Sequence, residues 1–420
     1  MRFTTLDAWL TWQESLHPTE IELGLERIAT VLRNLHAHVP PFTVITVAGT
    51  NGKGSSVAML EAILRAAGYR VGAYTSPHLL RYNERVRLDG QPVNDHLLIE
   101  SFARIDEARA DISLTYFEFG TLAALDIFYR NAPDVVLLEV GLGGRLDAVN
   151  IIDPSVSLIT SISVDHAEWL GNDRESIAIE KAGIMRAGRP VVFSGREMPA
   201  SLGRRAEEMT ASLAVLDRDY YYQKRASDWQ WWSGTEPAMS LPYPALHGDH
   251  QLDNAAGVLM VLHQLANQLP VSLVAVRQGL QQVTLPGRFQ VIPAAVSWIL
   301  DVAHNPDGMA RLAELLAATP VTGRTLTIIG MMGDKDHHTA IRHLQAEVDV
   351  WFTANLPTPR SANAEDMANL IRQQTGNKQV QACTDVAAAC EAAKREAREG
   401  DRILICGSFY TVAVALDHGI

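Results

Sequence analysis

A β-branched apolar run, Thr43-Val-Ile-Thr-Val-Ala48, leads into a glycine-rich turn, and Val57, Leu60, Leu64 and Ala67 then recur at three- and four-residue spacing up to Gly68. This pattern predicts a buried strand, a turn and an amphipathic helix closed by a glycine in the left-handed conformation. A second apolar run over 69–74 completes a strand–helix–strand unit, the mark of a parallel sheet. Apolar runs over 134–139, 156–160 and 189–193 follow, separated by helical stretches, and their continuous character suits strands covered on both faces. They predict an open, mostly parallel α/β sheet running from about residue 43 to the 280s. After Leu285-Pro-Gly-Arg-Phe289 the pattern restarts, with strand-like runs over 297–300, 326–329, 348–352 and 402–405 and helical stretches over 309–318 and 386–398. The expected architecture is α/β with two domains, 1–285 and a smaller 286–420, and the Pro-Gly segment as hinge.

The 420-residue length supports that division, because single cores stop growing well below this size. Residues 219–234 stand apart: Tyr220, Tyr221, Tyr222, Trp229, Trp231 and Trp232 crowd one stretch beside Lys224 and Arg225. Such aromatics can stack on bases, but aromatics on a sheet extension are the commoner explanation. Charge favours the second: 36 Lys and Arg against 48 Asp and Glu give −12, which repels nucleic acid and anionic membrane surfaces. Anionic ligands must therefore be captured locally. The first residues do not read as a secretory signal, no run approaches a membrane span, and three cysteines without metal-binding spacing fit a reducing cytoplasm.

Gly49-Thr-Asn-Gly-Lys-Gly-Ser55 sits between the first strand and its helix, where backbone N–H groups, Lys53 and the helix dipole can hold phosphate. It departs from GxxxxGK[ST], since Gly54 follows the lysine and the hydroxyl comes at Ser55. An incidental lysine in a glycine-rich turn is the plainer alternative. Glu139 ends the 134–139 run, Asp165-His166 follows the 156–160 run, and Ser76 and His78 follow the 69–74 run. Carboxyl ends of parallel strands gather ligands in open α/β sheets, so Ser76, Glu139 and His166 make a candidate Mg2+ site. Lys181, heading a segment that leads to a strand, is by default solvent-exposed. Asp301 ends a strand of the second domain and His304 lies in the next turn, where Asn305-Pro306 equally explains the turn itself.

The motifs Val-Ala-Gly-Thr-Asn-Gly-Lys-Gly-Ser (47–55), Thr-Ser-Pro-His-Leu (75–79), Leu-Glu-Val-Gly-Leu-Gly-Gly-Arg-Leu-Asp (138–147), Asp-His-Ala-Glu-Trp-Leu-Gly (165–171), Glu-Lys-Ala-Gly-Ile (180–184), Leu-Pro-Gly-Arg-Phe (285–289), Asp-Val-Ala-His-Asn-Pro (301–306) and Gly-Asp-Lys-Asp (333–336) occur in order along the chain. Together they resemble the dihydrofolate synthase/folylpolyglutamate synthase family of the Mur ligase superfamily. The segment 111–121 further resembles the bifunctional bacterial members. The resemblance implies an N-terminal Mur-ligase-like P-loop ATPase domain with a mostly parallel sheet, and a smaller C-terminal Rossmann-like α/β domain that binds glutamate and closes on ATP.

It also implies ATP-dependent amide formation: a pterin-linked carboxylate is phosphorylated and L-glutamate displaces the phosphate. Carried onto this chain, Gly52, Lys53, Gly54 and Ser55 bind ATP phosphates, and Asn254, Arg288 and Asp301 contact the nucleotide. Ser76 and Glu139 hold a first Mg2+ and His166 a second. Thr115, Tyr116, Phe117 and Glu118, with Leu146, Asp147 and Ala148, line the pterin site. His304 and Ser408 lie where glutamate is expected. Lys53, His166 and Lys181 carry the chemistry, and Lys181 matches a lysine carbamylated in many relatives. The implied partners are ATP, dihydropteroate, tetrahydrofolate and L-glutamate, with two Mg2+ and room for a monovalent cation, in a cytoplasmic monomer without nucleic-acid or membrane partners.

Three rivals remain at this stage. A ligase of UDP-linked cell-wall precursors would need a separate UDP-binding domain, and only 48 residues precede Gly49. A monofunctional folylpolyglutamate synthase is excluded only by the 115–120 segment. A nucleotide-binding regulator would leave Lys181, His166 and the second domain without a common explanation.

Overall fold

A computed structural model describes residues 2–36, 39–376 and 378–420. The chain divides into two compact units. The larger takes in residues up to His78, Tyr82–Ala245 and Asp249–Val283; the smaller takes in Leu79–Arg81, Leu246–Gly248 and Thr284–Ile420.

In the larger unit eight strands form one sheet: β1 (Thr43–Ala48), β2 (Val71–Tyr74), β3 (Val86–Leu88), β4 (Gln91–Pro92), β5 (Val135–Glu139), β6 (Val156–Ile159), β7 (Pro190–Phe193) and β8 (Ser212–Val215). Their order is β4-β3-β2-β5-β1-β6-β7-β8. The pairs β2/β5, β5/β1, β1/β6, β6/β7 and β7/β8 are parallel, while β3 and β4 add an antiparallel edge. β1, β5 and β6 are apolar and buried almost throughout, as strands covered by helices on both faces must be. The helix after β1, Lys53–Ala66, ends before Gly68 at φ +90°, the left-handed stop expected from the sequence.

The sheet ends at Val215, well short of the 280s. The aromatic stretch does not extend it. It forms a separate antiparallel sheet of β9 (Tyr220–Lys224), β10 (Trp229–Ser233) and β11 (Met239–Leu241). Tyr220, Trp229 and Trp231 are buried; the Trp231 indole N–H donates to Ala256 O at 3.2 Å and the Trp229 N–H to Pro242 O at 2.9 Å. These rings hold the small sheet to its surroundings, so a structural role is correct and the geometry differs. The helices Asp249–Gln264 and Leu273–Gln282 then complete the unit.

The smaller unit is a six-stranded sheet of β12 (Gln290–Ile292), β13 (Ser297–Leu300), β14 (Thr325–Ile329), β15 (Val350–Ala354), β16 (Gln379–Cys383) and β17 (Arg402–Cys406). Its order is β12-β13-β17-β14-β15-β16, with only β12 antiparallel. The sequence pattern missed β16, whose residues alternate in burial and carry Gln379 and Gln381 at an edge. No described helix is long and apolar enough to cross a membrane.

Candidate active site

Because β2, β5, β1 and β6 are neighbours and parallel, their carboxyl ends share one edge. The sequence places the phosphate loop after β1, Ser76 after β2, Glu139 at the end of β5 and Asp165-His166 after β6. Gly49 and Gly52 shape the loop. A Cβ on Gly49 would lie 1.7 Å from Thr160 Oγ1, and Gly52, at φ +94°, faces Asn254 Oδ1 at 2.4 Å from where a Cβ would be. The Thr160 hydroxyl donates to Asn51 O at 2.7 Å; Thr50 N donates to Ser161 O at 2.7 Å, and Thr50 Oγ1 accepts from Ser163 N at 3.1 Å. The loop is thus braced against the 160–163 segment.

Gly52 caps the Lys53–Ala66 helix, so Lys53, Gly54 and Ser55 form its first turn, where unsatisfied N–H groups and the dipole favour anions. Ser55 is buried and accepts from Gln251 Nε2 at 3.3 Å, and Asn254 Nδ2 donates to Gln251 Oε1 at 3.0 Å. Gly52, Lys53, Gly54, Ser55 and Asn254 are therefore brought together. Gln251 was not anticipated, although it lies one helical turn before Asn254 on the same face.

Two lysine amines meet at one carbonyl. Lys53 Nζ donates to Gly49 O at 3.0 Å and Thr50 O at 3.1 Å, and Lys181 Nζ donates to the same Gly49 O at 2.9 Å. The default of a solvent-exposed Lys181 is wrong: the residue is 4% exposed. It lies in the last turn of the Arg174–Ala182 helix, which packs tightly on the loop after β5. There Arg145 N donates to Glu180 O at 2.8 Å, Asn150 Nδ2 donates to both Arg145 O and Gly183 O at 3.0 Å, and a Cβ on Gly183 would sit 2.3 Å from Arg145 Cα. Burial first, and then the Lys53 ammonium, push the Lys181 amine down to about 7, against the pull of Asp165 and Asp147. Burial likewise pushes the Asp147 carboxyl up to about 6, opposed by the backbone N–H groups of Leu142, Val149 and Gly141 and by Lys53.

Glu139 is buried, and its Oε2 accepts from Ser76 N at 3.2 Å. This places the Ser76 residue and one carboxylate together. His166 is exposed, at φ +52° ahead of the short Ala167–Leu170 helix, with its backbone N–H donating to Asp165 Oδ1 at 2.8 Å. Among the described residues no three His, Cys, Asp or Glu side chains form a metal cluster. A buried carboxylate next to a phosphate loop is the kind of hard oxygen donor that Mg2+ takes, since that ion keeps waters and shares phosphate oxygens rather than filling an all-protein cage. His78 also belongs to this edge: its Nδ1 accepts from Arg85 Nε at 2.8 Å, which leaves the proton on Nε2, and burial followed by Arg85 pushes it down to about 4.

The proposed pterin residues divide into two kinds. Thr115 caps the Tyr116–Asn131 helix and forms a capping box with Glu118: Thr115 Oγ1 accepts from Glu118 N at 3.2 Å and Glu118 Oε2 accepts from Thr115 N at 2.8 Å. Both are buried, and their side chains close this cap. Tyr116 is half-buried, with its ring 5.8 Å from that of Tyr82 and Arg85 over it. Phe117 faces Gly141, where a Cβ would lie 2.6 Å from the ring. Asp147 Oδ2 accepts from Leu142 N at 2.8 Å and its Oδ1 from Val149 N at 3.1 Å, which folds the loop carrying half-buried Leu146 and buried Ala148.

Within the smaller unit, Arg288, His304 and Ser408 gather around Phe409. The Arg288 guanidinium lies 5.1 Å over that ring, and the His304 ring centroid is 6.2 Å from it. Asp301 Oδ2 accepts from Phe289 N and Oδ1 from Ala303 N, both at 2.8 Å; burial raises this carboxyl and Arg288 opposes the shift. Ser408 caps the Phe409–Asp417 helix, its Oγ accepting from Tyr410 N at 3.1 Å.

The Mur ligase middle domain model matches residues 47–262 and the Mur ligase, glutamate ligase domain model matches residues 287–409. A dihydrofolate synthase/folylpolyglutamate synthase of Escherichia coli (strain K12) is 45% identical over 412 residues, covering 98% of this chain and 95% of that protein. Among solved structures, Escherichia coli FolC in complex with DHPP and ADP aligns with a TM-score of 0.93 at 44% identity, over 99% of this chain and 97% of that one. A bifunctional folylpolyglutamate synthase/dihydrofolate synthase with Mn, AMPPNP and L-glutamate bound aligns with a TM-score of 0.89 at 45% identity, over 99% and 98% of the two chains.

Proposed function

Because the chain belongs to the dihydrofolate synthase/folylpolyglutamate synthase family of Mur ligases, we propose that it is an ATP-dependent ligase with two acceptors. It joins L-glutamate to dihydropteroate, giving dihydrofolate, and to tetrahydrofolate, giving folylpolyglutamates. An acceptor carboxylate oxygen attacks the γ-phosphorus and ADP leaves. The glutamate amine then attacks the acyl carbon, loses a proton, and phosphate leaves.

Each step brings anions together, so the chain's task is local charge compensation. The N–H groups of Gly52–Ser55 and the Lys53 ammonium, released from the Gly49 and Thr50 carbonyls, bind the phosphates, and Asn254, Arg288 and Asp301 orient the nucleotide. Ser76, Glu139 and His166 would hold Mg2+, two ions in this reading, which supplies charge neutralisation on phosphate oxygens. Tyr116, Phe117, Leu146, Asp147 and Ala148 form the acceptor site, kept in shape by Thr115 and Glu118. The residues around Phe409, His304 foremost, serve glutamate. Burial and then the Lys53 ammonium weaken the hold of the Lys181 amine on its proton, and the neutral amine adds CO2 to give a carbamate and a proton. The reading extends to a cytoplasmic monomer that tolerates or uses a monovalent cation.

The observation that carries this reading is the meeting of Lys53 and Lys181 at the Gly49 carbonyl of a braced phosphate loop. Phosphate release with ATP and L-glutamate, measured with dihydropteroate and then with tetrahydrofolate, tests it. Release with both acceptors is expected; release with tetrahydrofolate alone reduces the enzyme to a monofunctional one, and release with neither overturns the proposal.

A further inference from the structure

The turn that carries the acceptor residues is tied at both of its ends to a segment far away in sequence. Ser113, just before the turn, donates through Oγ to Leu16 O at 3.0 Å. His17 Nδ1 lies 2.8 Å from Ser113 Oγ and His17 Nε2 lies 2.8 Å from the Glu22 carboxylate, both within hydrogen-bond distance. Arg27 Nη1 donates to the same carboxylate, and Arg27 Nη2 donates to Glu22 O at 3.1 Å and to Glu118 Oε1 at 3.1 Å. Glu118 spends its other oxygen, Oε2, on Thr115 N at 2.8 Å. The series Ser113–His17–Glu22–Arg27–Glu118–Thr115 therefore closes on itself through the chain from 113 to 118.

This closure has a physical reason. Glu118 is 3% exposed, and a buried carboxylate is tolerated only with good partners. One backbone N–H and one guanidinium supply them. The His17 side chain is itself only 8% exposed, and Leu114, inside the ring, is fully buried. Tyr116 and Phe117 project from the turn so enclosed.

We propose that this polar ring is the device that sets the acceptor turn, and that Arg27 is its positioning residue, acting on the pterin-linked acceptor through Glu118 without touching it. The inference rests on the acceptor reading of residues 115–118 given above. Arg27 fixes the carboxylate, the carboxylate fixes the first turn of the Tyr116–Asn131 helix, and that turn sets the directions of Tyr116 and Phe117. A shift of about 1 Å in such groups is enough to cost orders of magnitude in binding and rate.

The test compares Arg27→Met and Arg27→Lys with the wild-type chain. In Arg27→Met the KM for dihydropteroate is expected to rise about tenfold or more, with the KM values for ATP and L-glutamate within twofold of wild type. Arg27→Lys, which keeps a cation without the planar fork, is expected to recover part of the loss. An unchanged dihydropteroate KM, or an equal rise in all three KM values, overturns the proposal. Should Arg27→Met not fold, His17→Gln breaks the ring at the other end and carries the same expectations. If the wild-type chain itself releases no phosphate with dihydropteroate, the functional reading fails, and the ring is then judged by hydrogen exchange. Faster exchange at 113–118 in Arg27→Met, with 53–66 unchanged, supports it; unchanged exchange at both overturns it.

Discussion

Lys181 is the residue in which burial and chemistry are most tightly joined. A lysine in contact with solvent holds its proton far above neutrality, whereas here burial and Lys53 bring the amine from 10.5 down to about 7. Between those values the unfolded chain binds the proton and the folded chain does not, so this residue makes stability rise with pH, and its full cost is present below about 7. Lys181→Met removes that cost. The variant is expected to be more stable than wild type at pH 6, by an amount on the order of a few kcal/mol, with the advantage shrinking as pH approaches 10. Thermal unfolding of both proteins across this range checks it, and a difference independent of pH would exclude the shifted amine. The residues around Lys181 do not by themselves show this burial: in the sequence it heads a segment leading to a strand and reads by default as solvent-exposed, and only the family resemblance singles it out. Its burial depends on Gly144 and Arg145 meeting Glu180 and Gly183, residues nearly forty positions apart.

At the scale of elements, the parts that were legible are those whose cause is local. The β1 run, the glycine turn and the following helix were readable because a buried strand, a positive-φ glycine and a 3.6-residue period each leave their own mark. The capping box at Thr115–Glu118 shows only in the hydrogen bonds, because the sequence reading of this segment rests on a family resemblance and not on its local geometry. The aromatic stretch was readable as strands, but nothing local tells an added edge strand from a separate sheet. Close approach between elements is the least legible feature. Gly183 meets Arg145 so closely that an added methyl must move backbone, and moving it displaces the helix end that carries Lys181. Gly183→Ala is expected to cost roughly 1–3 kcal/mol in stability and about a hundredfold in kcat. Gly203→Ala, where the added Cβ meets only the flexible end of Met198, serves as the comparison and should leave both nearly unchanged. Steady-state kinetics and unfolding midpoints of the pair decide the matter; equal behaviour would mean that the Gly183 contact positions nothing.

For the whole molecule, a net charge of −12 argues against polyanionic partners and yet coexists with a family whose substrates are all anions. On the function proposed above the two facts are compatible, because capture would be local: a helix N-terminus and Lys53 would act over a few ångströms, inside the screening length of the solvent. The two α/β units each carry their own sheet, and each is matched by a Mur ligase domain model. Activation of an acceptor carboxylate by phosphorylation, before glutamate adds to it, decides the fate of a single oxygen atom. Dihydropteroate labelled with 18O in its carboxylate, turned over with ATP and L-glutamate, reports that fate in the mass of the released phosphate. One labelled oxygen per phosphate, matched to dihydrofolate formed, is the expected result; phosphate free of label alongside dihydrofolate would contradict the acyl-phosphate route.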